Sequence, residues 1–110
     1  MDRERKIIDK TELPDAKKHD ENEKVFVITD IMYRKDARVR GYYYEAMIMR
    51  ENARNNGSGY TSECWILGQN SKSYLLLEVK SFSAKVLAGL TLTPEQIAGV
   101  KAEAIARINF

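Results

Sequence analysis

Along this chain the apolar positions change character at residue 25. Before it, Ile7, Ile8, Leu13 and Ala16 are the few apolar groups after Met1, scattered among charged side chains. A segment so composed has little surface to bury against its ordering entropy, so residues 1–24 read as a charged, flexible N-terminal arm, with at most a helical turn or a short strand around Ile7-Ile8. Pro14 argues against a long helix there. From Val25 the pattern becomes that of a folded domain, residues 25–110. In Val25-Phe26-Val27-Ile28-Thr29-Asp30-Ile31-Met32-Tyr33, period-two reading puts Val25, Val27, Thr29, Ile31 and Tyr33 on one face of a strand. The opposite face, Phe26, Ile28, Asp30 and Met32, is more apolar than a solvated face needs, which predicts partial cover on both sides.

A polar connection, Arg34 to Arg38, leads to a second extended run from about Val39 to Met49, and its shortness suggests a hairpin. Asn55-Asn56-Gly57-Ser58-Gly59 is the clearest turn signal and predicts an exposed loop tip. A third strand is expected from about Tyr60 to Leu67, a turn over Gly68 to Ser73, and a fourth strand over Tyr74 to Lys80. Ser83 to Leu90 reads as a short helix capped by Ser83 or as an irregular link. The last helix has the fullest start signal: Thr93 at the N-cap, Pro94 at the first helical position and Gln96 three residues after the cap form a capping box. Ile97, Val100, Ala104, Ile105 and Ile108 follow at helical spacing. The expected fold is therefore α+β, a four-stranded, mainly antiparallel meander packed against a C-terminal helix.

Length and composition support one domain: 110 residues, 44% hydrophobic and 31% charged. No apolar run is long enough to span a bilayer, and the charged start leads into no signal-like stretch, so the expectation is a cytoplasmic protein without membrane contact. The net charge of +2 is weak, but its distribution is uneven. Residues 2–24 hold seven basic and eight acidic side chains, leaving 11 basic and eight acidic in the body.

Several chemistries lack their residues. His19 is the only histidine and Cys64 the only cysteine, so neither a Cys-based zinc cluster nor an intramolecular disulfide is available. Cys64, beside Trp65 and Ile66 in an expected strand, reads as a buried thiol. Gly-rich phosphate loops and nucleophile elbows are missing, and no cofactor, metal ligand or catalytic residue is assigned. One segment, Leu75-Leu76-Leu77-Glu78-Val79-Lys80, is an apolar strand ending in E-x-K and resembles the final strand of the PD-(D/E)xK nuclease family. That resemblance implies a divalent metal held by an acidic pair, with Lys80 helping to activate water. It covers about six residues, and where the family carries an aspartate on the preceding strand this chain has Cys64-Trp65-Ile66-Leu67. Charges alternating on a solvated strand face account for Glu78 and Lys80 equally well. Asp30, interrupting an apolar strand face, requires a partner such as Lys80 or Arg40 if it is buried.

The binding signal is a basic and aromatic cluster, Arg34, Lys35, Arg38 and Arg40 running into Tyr42, Tyr43 and Tyr44. Basic groups neutralise phosphates and exposed rings stack on bases, but tyrosine and arginine are also the residues that dominate protein interfaces. With so weak a field, protein contact ranks above nucleic acid. One helix cannot cover both sides of a sheet, so the second face calls for another layer: a second protomer or partner protein, or else residues 82–92 or the arm. The function expected from sequence is that of a small non-enzymatic interaction protein, an adaptor, inhibitor or accessory protein, docking through a sheet face or the 34–44 hairpin. A nucleic-acid-binding module on the same hairpin and a degenerate nuclease on Glu78 and Lys80 are the alternatives.

Overall fold

The computed structural model describes residues 5–18, 21–35, 38–52, 60–65 (backbone only) and 74–108. Among these residues five strands and two helices follow in chain order: β1 (Arg5–Glu12), β2 (Glu23–Arg34), β3 (Gly41–Asn52), β4 (Tyr60–Trp65), β5 (Tyr74–Glu78), α1 (Ala84–Gly89) and α2 (Pro94–Ile108). The fold is α+β, an antiparallel meander sheet with a C-terminal helix, as the pattern predicts. The expected turns at 55–59 and 68–73 and the side chain of Cys64 lie outside the described residues.

β2 and β3 form the centre, paired antiparallel along their whole length from Glu23↔Asn52 to Arg34↔Gly41. The β-branched and aromatic side chains of β2 alternate as predicted: Val25, Val27, Thr29, Ile31 and Tyr33 are all buried on one face. Val25, Val27, Ala46, Ile48 and Leu13 pack there with Ala104, Val100 and Ile108 of α2, while Ile31, Tyr33 and Tyr42 pack with Leu87, Leu92 and Ile97. Ile105, assigned to the same stripe by spacing, is instead 45% exposed. It lies at the edge of the apolar arc and lines a small cleft with Leu13, Pro14 and Ala16.

The return strand of the meander is divided. β4 pairs with Met47–Asn52 of β3, and β5 pairs with Gly41–Tyr44 of the same strand, so both lie along one edge of β3. β5 is thus a neighbour of β3, where a simple four-strand meander would set it beside the strand before it. A register shift between Tyr42 and Tyr43 leaves an extra β5 residue, Leu76, at a bulge.

The charged arm contributes more than a short strand around Ile7-Ile8. β1 pairs with β2 from Arg5↔Met32 to Glu12↔Phe26, with a bulge at Ile8, and the Leu13 amide continues the ladder to the Val25 carbonyl at 2.7 Å. Apolar content alone understates this segment because main-chain pairing and charged side chains anchor it. Lys10 lies 4.7 Å above the Phe26 ring, a cation–π contact, and Lys101 of α2 reaches Asp9 at 3.3 Å. Lys6 donates to the carbonyls of Ala88 and Leu90, both at 2.8 Å, and so places a cation at the negative end of α1.

The capping box of α2 forms as its spacing predicts. Thr93 Oγ1 accepts from the Gln96 amide at 3.1 Å, and Gln96 Oε1 accepts from the Thr93 amide at 2.8 Å. Thr93→Ala removes one half of this exchange and is expected to cost about 1 kcal/mol in urea unfolding. A loss below a few tenths would mean that packing of the helix face alone sets where α2 begins. Ser83 likewise caps α1, its side chain accepting from the Val86 amide.

The second sheet face is covered without a second protomer. Ile28, Met47 and Met49 form a buried cluster there with Phe26 packed against it, and Asp30 and Glu45, directly opposite one another in the β2–β3 register, are 1% and 6% exposed. These side chains are thus buried within a single chain. Asp30 finds its partner in β1: Arg5 Nε stands 2.8 Å from Oδ2, in place of the Lys80 or Arg40 expected from sequence. Glu23, also buried, is held by Arg50 at 2.8 Å.

Candidate docking surface

The seven residues singled out in the sequence divide between interior and surface. Tyr42 is fully buried, and its hydroxyl donates to the Ser83 carbonyl at 3.0 Å while accepting from the Ser83 amide at 2.8 Å. Tyr33, its ring tilted against that of Tyr42 at 5.4 Å, donates to the Lys80 carbonyl at 3.1 Å, and Phe82 closes the cluster. These rings clamp the link from β5 to α1. Tyr43 is 9% exposed, donates to the Val39 carbonyl, and is covered by the Arg34 guanidinium 5.6 Å from its ring centre. Neither Tyr42 nor Tyr43 offers a face to a partner, because alternation along β3 buries one on each side of a sheet covered on both sides. Tyr44 is half-buried and stacks on Tyr74 at 5.1 Å. Lys35, Arg38 and Arg40 are exposed, and Arg34 is half-buried. The structure thus keeps the basic half of the cluster on the surface and takes most of the aromatic half inside.

The leucines of β5 add to the surface residues that the sequence singles out. Leu76 and Val79 pack with the core on the helix side, whereas Leu75 and Leu77 are 47% and 38% exposed, and Tyr74 is 40% exposed. No local pattern reveals this, because the bulge that sets Leu75 opposite Tyr43 and Leu77 opposite Tyr42 exists only once β5 pairs with β3. Main-chain geometry joins these leucines to the basic connection. Leu75 lies opposite Tyr43, Glu78 opposite Gly41, and the Val79 amide donates to the Arg40 carbonyl at 3.0 Å. Leu75 and Leu77 thus sit opposite Tyr43 and Tyr42, on different faces of the sheet, at the end where Arg38, Val39, Arg40 and Lys80 are exposed.

Gly41 permits this arrangement. A Cβ there would collide with the Leu77 carbonyl oxygen and lie 2.9 Å from the Glu78 Cα. Glycine in a strand is favoured where another backbone passes this close.

Two further features flank the surface. On the helix side, a cleft of about 280 Å³ lies between Tyr44 and Tyr74 and the α2 residues Glu95, Gly99 and Glu103. Burial, and secondly the neighbouring Tyr74, raises the Tyr44 phenol above its ordinary pKa. Glu78 and Lys80, the residues behind the nuclease resemblance, are both exposed, and the Glu78 position faces Gly41 across the ladder. Asp30 lies well along β2, in register with Glu45, and among the described residues no group of three or more His, Cys, Asp or Glu side chains converges as metal ligands do. Among the same residues, no helix is long and apolar enough to cross a membrane. Comparison with family models, with curated proteins and with solved structures finds no match to this chain.

Proposed function

We propose that this chain is a non-catalytic interaction protein that docks on another protein through the end of its sheet, with Leu75 and Leu77 as apolar anchors and Lys35, Arg38 and Arg40 as a basic rim. The observation that carries this reading is the exposure of two leucines on a strand whose intervening residue, Leu76, fills the core. Single exposed apolar groups are ordinary, but two large ones on one short strand are what folds generally blunt with charge or cover. Here charge lies beside them and leaves them open. Burial of Tyr42 and Tyr43 favours protein over nucleic acid, because the rings that would stack on bases are inside the fold.

A photoreactive benzoylphenylalanine in place of Leu77, tested in the cells that make the chain, examines this reading. The expected outcome is a protein adduct of discrete mass, absent when the same group replaces Val86, an exposed residue of α1. Leu75→Ser should reduce the adduct about tenfold, the loss typical of an interface anchor, while the melting temperature holds. Equal adducts at both positions, none at Leu77, or adducts with nucleic acid would each overturn it.

A further inference from the structure

We propose that the cleft between Tyr44, Tyr74 and α2 binds a linear aliphatic polyamine, with one ammonium group at Glu95, another at Glu103 and the alkyl chain between them crossing Gly99. Binding there uses neither Leu75 nor Leu77, and so stands or falls apart from docking.

Charge selects the class of ligand. The chain as a whole has a net charge of +2, yet among the described residues that line this cleft of about 280 Å³ are Glu95 and Glu103 and no basic side chain. Tyr44 and Tyr74, stacked at 5.1 Å, form the opposite wall. Carboxylates facing aromatic rings suit a cation carried on carbon: the carboxylates accept from its ammonium groups, and the rings attract the charge while covering the methylenes beside it. A metal ion would make no use of the rings, and among the described residues no third acidic, histidine or cysteine side chain joins the two glutamates as a ligand.

Spacing and room set its shape. Glu95, Gly99 and Glu103 follow at four-residue intervals on one face of α2, which puts the Cα atoms of the two glutamates about 12 Å apart. An extended chain charged at both ends spans that separation. Gly99 lies midway. Glycine is among the least favoured residues inside a helix, and a Cβ there would meet no atom within 4 Å, so neither helix formation nor packing within the chain calls for it. Its missing side chain leaves an open floor between the two carboxylates.

Glu103 also lacks a donor. Its Oε2 is buried and accepts no hydrogen bond from the described residues, and Arg107 Nε, at 3.6 Å, is too distant to supply one. An ion pair one turn along the helix accounts for a glutamate on the surface, but not for a shielded oxygen without a hydrogen bond. An ammonium group brings three donors.

The test titrates the full chain, isotope-labelled and at low salt, with spermidine, and separately with propylamine and magnesium chloride. The expected result is saturable binding with chemical-shift changes centred on residues 95–103 and the rings of Tyr44 and Tyr74. Propylamine should bind about tenfold more weakly, and magnesium at equal concentration should not displace spermidine. Combining Glu95→Gln with Glu103→Gln should lower affinity about tenfold. Gly99→Leu should abolish binding by filling the floor while the melting temperature holds, since the position is exposed and a Cβ there meets nothing.

Undiminished binding by Gly99→Leu or by the double glutamine variant would overturn the site, as would shifts centred outside the cleft or a titration that does not saturate. Equal displacement by magnesium would overturn it too, by showing only a counter-ion atmosphere. Equal affinity for propylamine would overturn the polyamine, because one ammonium group would then suffice.

Discussion

Gly41→Ala is expected to destabilise the protein by about 3 kcal/mol, far beyond the usual effect of adding one methyl group to a strand, and to detach β5 from β3. The new Cβ would meet the Leu77 carbonyl and the Glu78 Cα, and both are main-chain atoms that cannot rotate aside. Relief requires the two backbones to part, which breaks the Gly41↔Glu78 and Tyr42↔Leu77 pairing and the hydrogen bond from Val79 to Arg40. Gly99→Ala provides the contrast. In α2 a Cβ at that position meets nothing within 4 Å, and the change should stabilise by about 0.5–1 kcal/mol through helix propensity. Urea unfolding measures both, and amide exchange at residues 74–78 locates the damage in the first. A Gly41→Ala loss under 1 kcal/mol with unchanged exchange would mean that β5 does not approach β3 as closely as described. Because the substitution acts on the strand that carries Leu75 and Leu77, it should also abolish the Leu77 crosslink.

The second large effect is a stability that rises on mild acidification through one buried carboxyl. Burial pushes Asp30 up to a pKa of about 6 from an ordinary 3.8, and the Arg5 guanidinium opposes the shift without cancelling it. Above pH 6 both folded and unfolded states hold the charge, and the folded state bears the cost of burying it. Between pH 6 and 4 the folded state takes up a proton that the unfolded state does not, so stability from this group increases as pH falls and levels off below 4. Two pKa units correspond to about 3 kcal/mol. Other carboxylates respond in their own ways, so the measurement is a difference: Asp30→Asn should be relatively more stable than the parent at pH 7.5, and that advantage should shrink by about 2–3 kcal/mol at pH 4.5. The carboxyl carbon of Asp30 should titrate near pH 6 by NMR, and higher still in Arg5→Gln. A midpoint at or below 4 would show that the ion pair outweighs burial.

How far the chain could be read in advance depended on whether its signals were local. The faces of β2, the hairpin to β3 and the capping box of α2 are written in adjacent residues, and each is found where its spacing puts it. What was not legible were pairings decided at a distance. β1 holds to the sheet through Arg5–Asp30, Lys101–Asp9 and Lys6 on the end of α1, contacts between segments far apart in the chain that no local count of apolar groups reveals. The tyrosines misled for the complementary reason. Three in a row look like a display, yet Tyr42 is buried because its hydroxyl finds both main-chain partners at Ser83, and that pairing exists only once the 79–83 link crosses over it. Leu75 and Leu77 escape a period-two reading, because the bulge at Leu76 sets one opposite Tyr43 and the other opposite Tyr42.

The divided return strand has a consequence for how such a chain can change over generations. β4 and β5 are aligned independently on β3, the one by Met47–Asn52 and the other by Gly41–Tyr44, with residues 66–73 between them in the chain and only Glu45 and Ala46 between their partners. Residues gained or lost between 66 and 73 therefore alter neither alignment, so length variation there is decoupled from the hydrogen-bond register on either side. Selection can then revise the β5 edge, residue by residue, without renegotiating the half of the sheet that β4 closes.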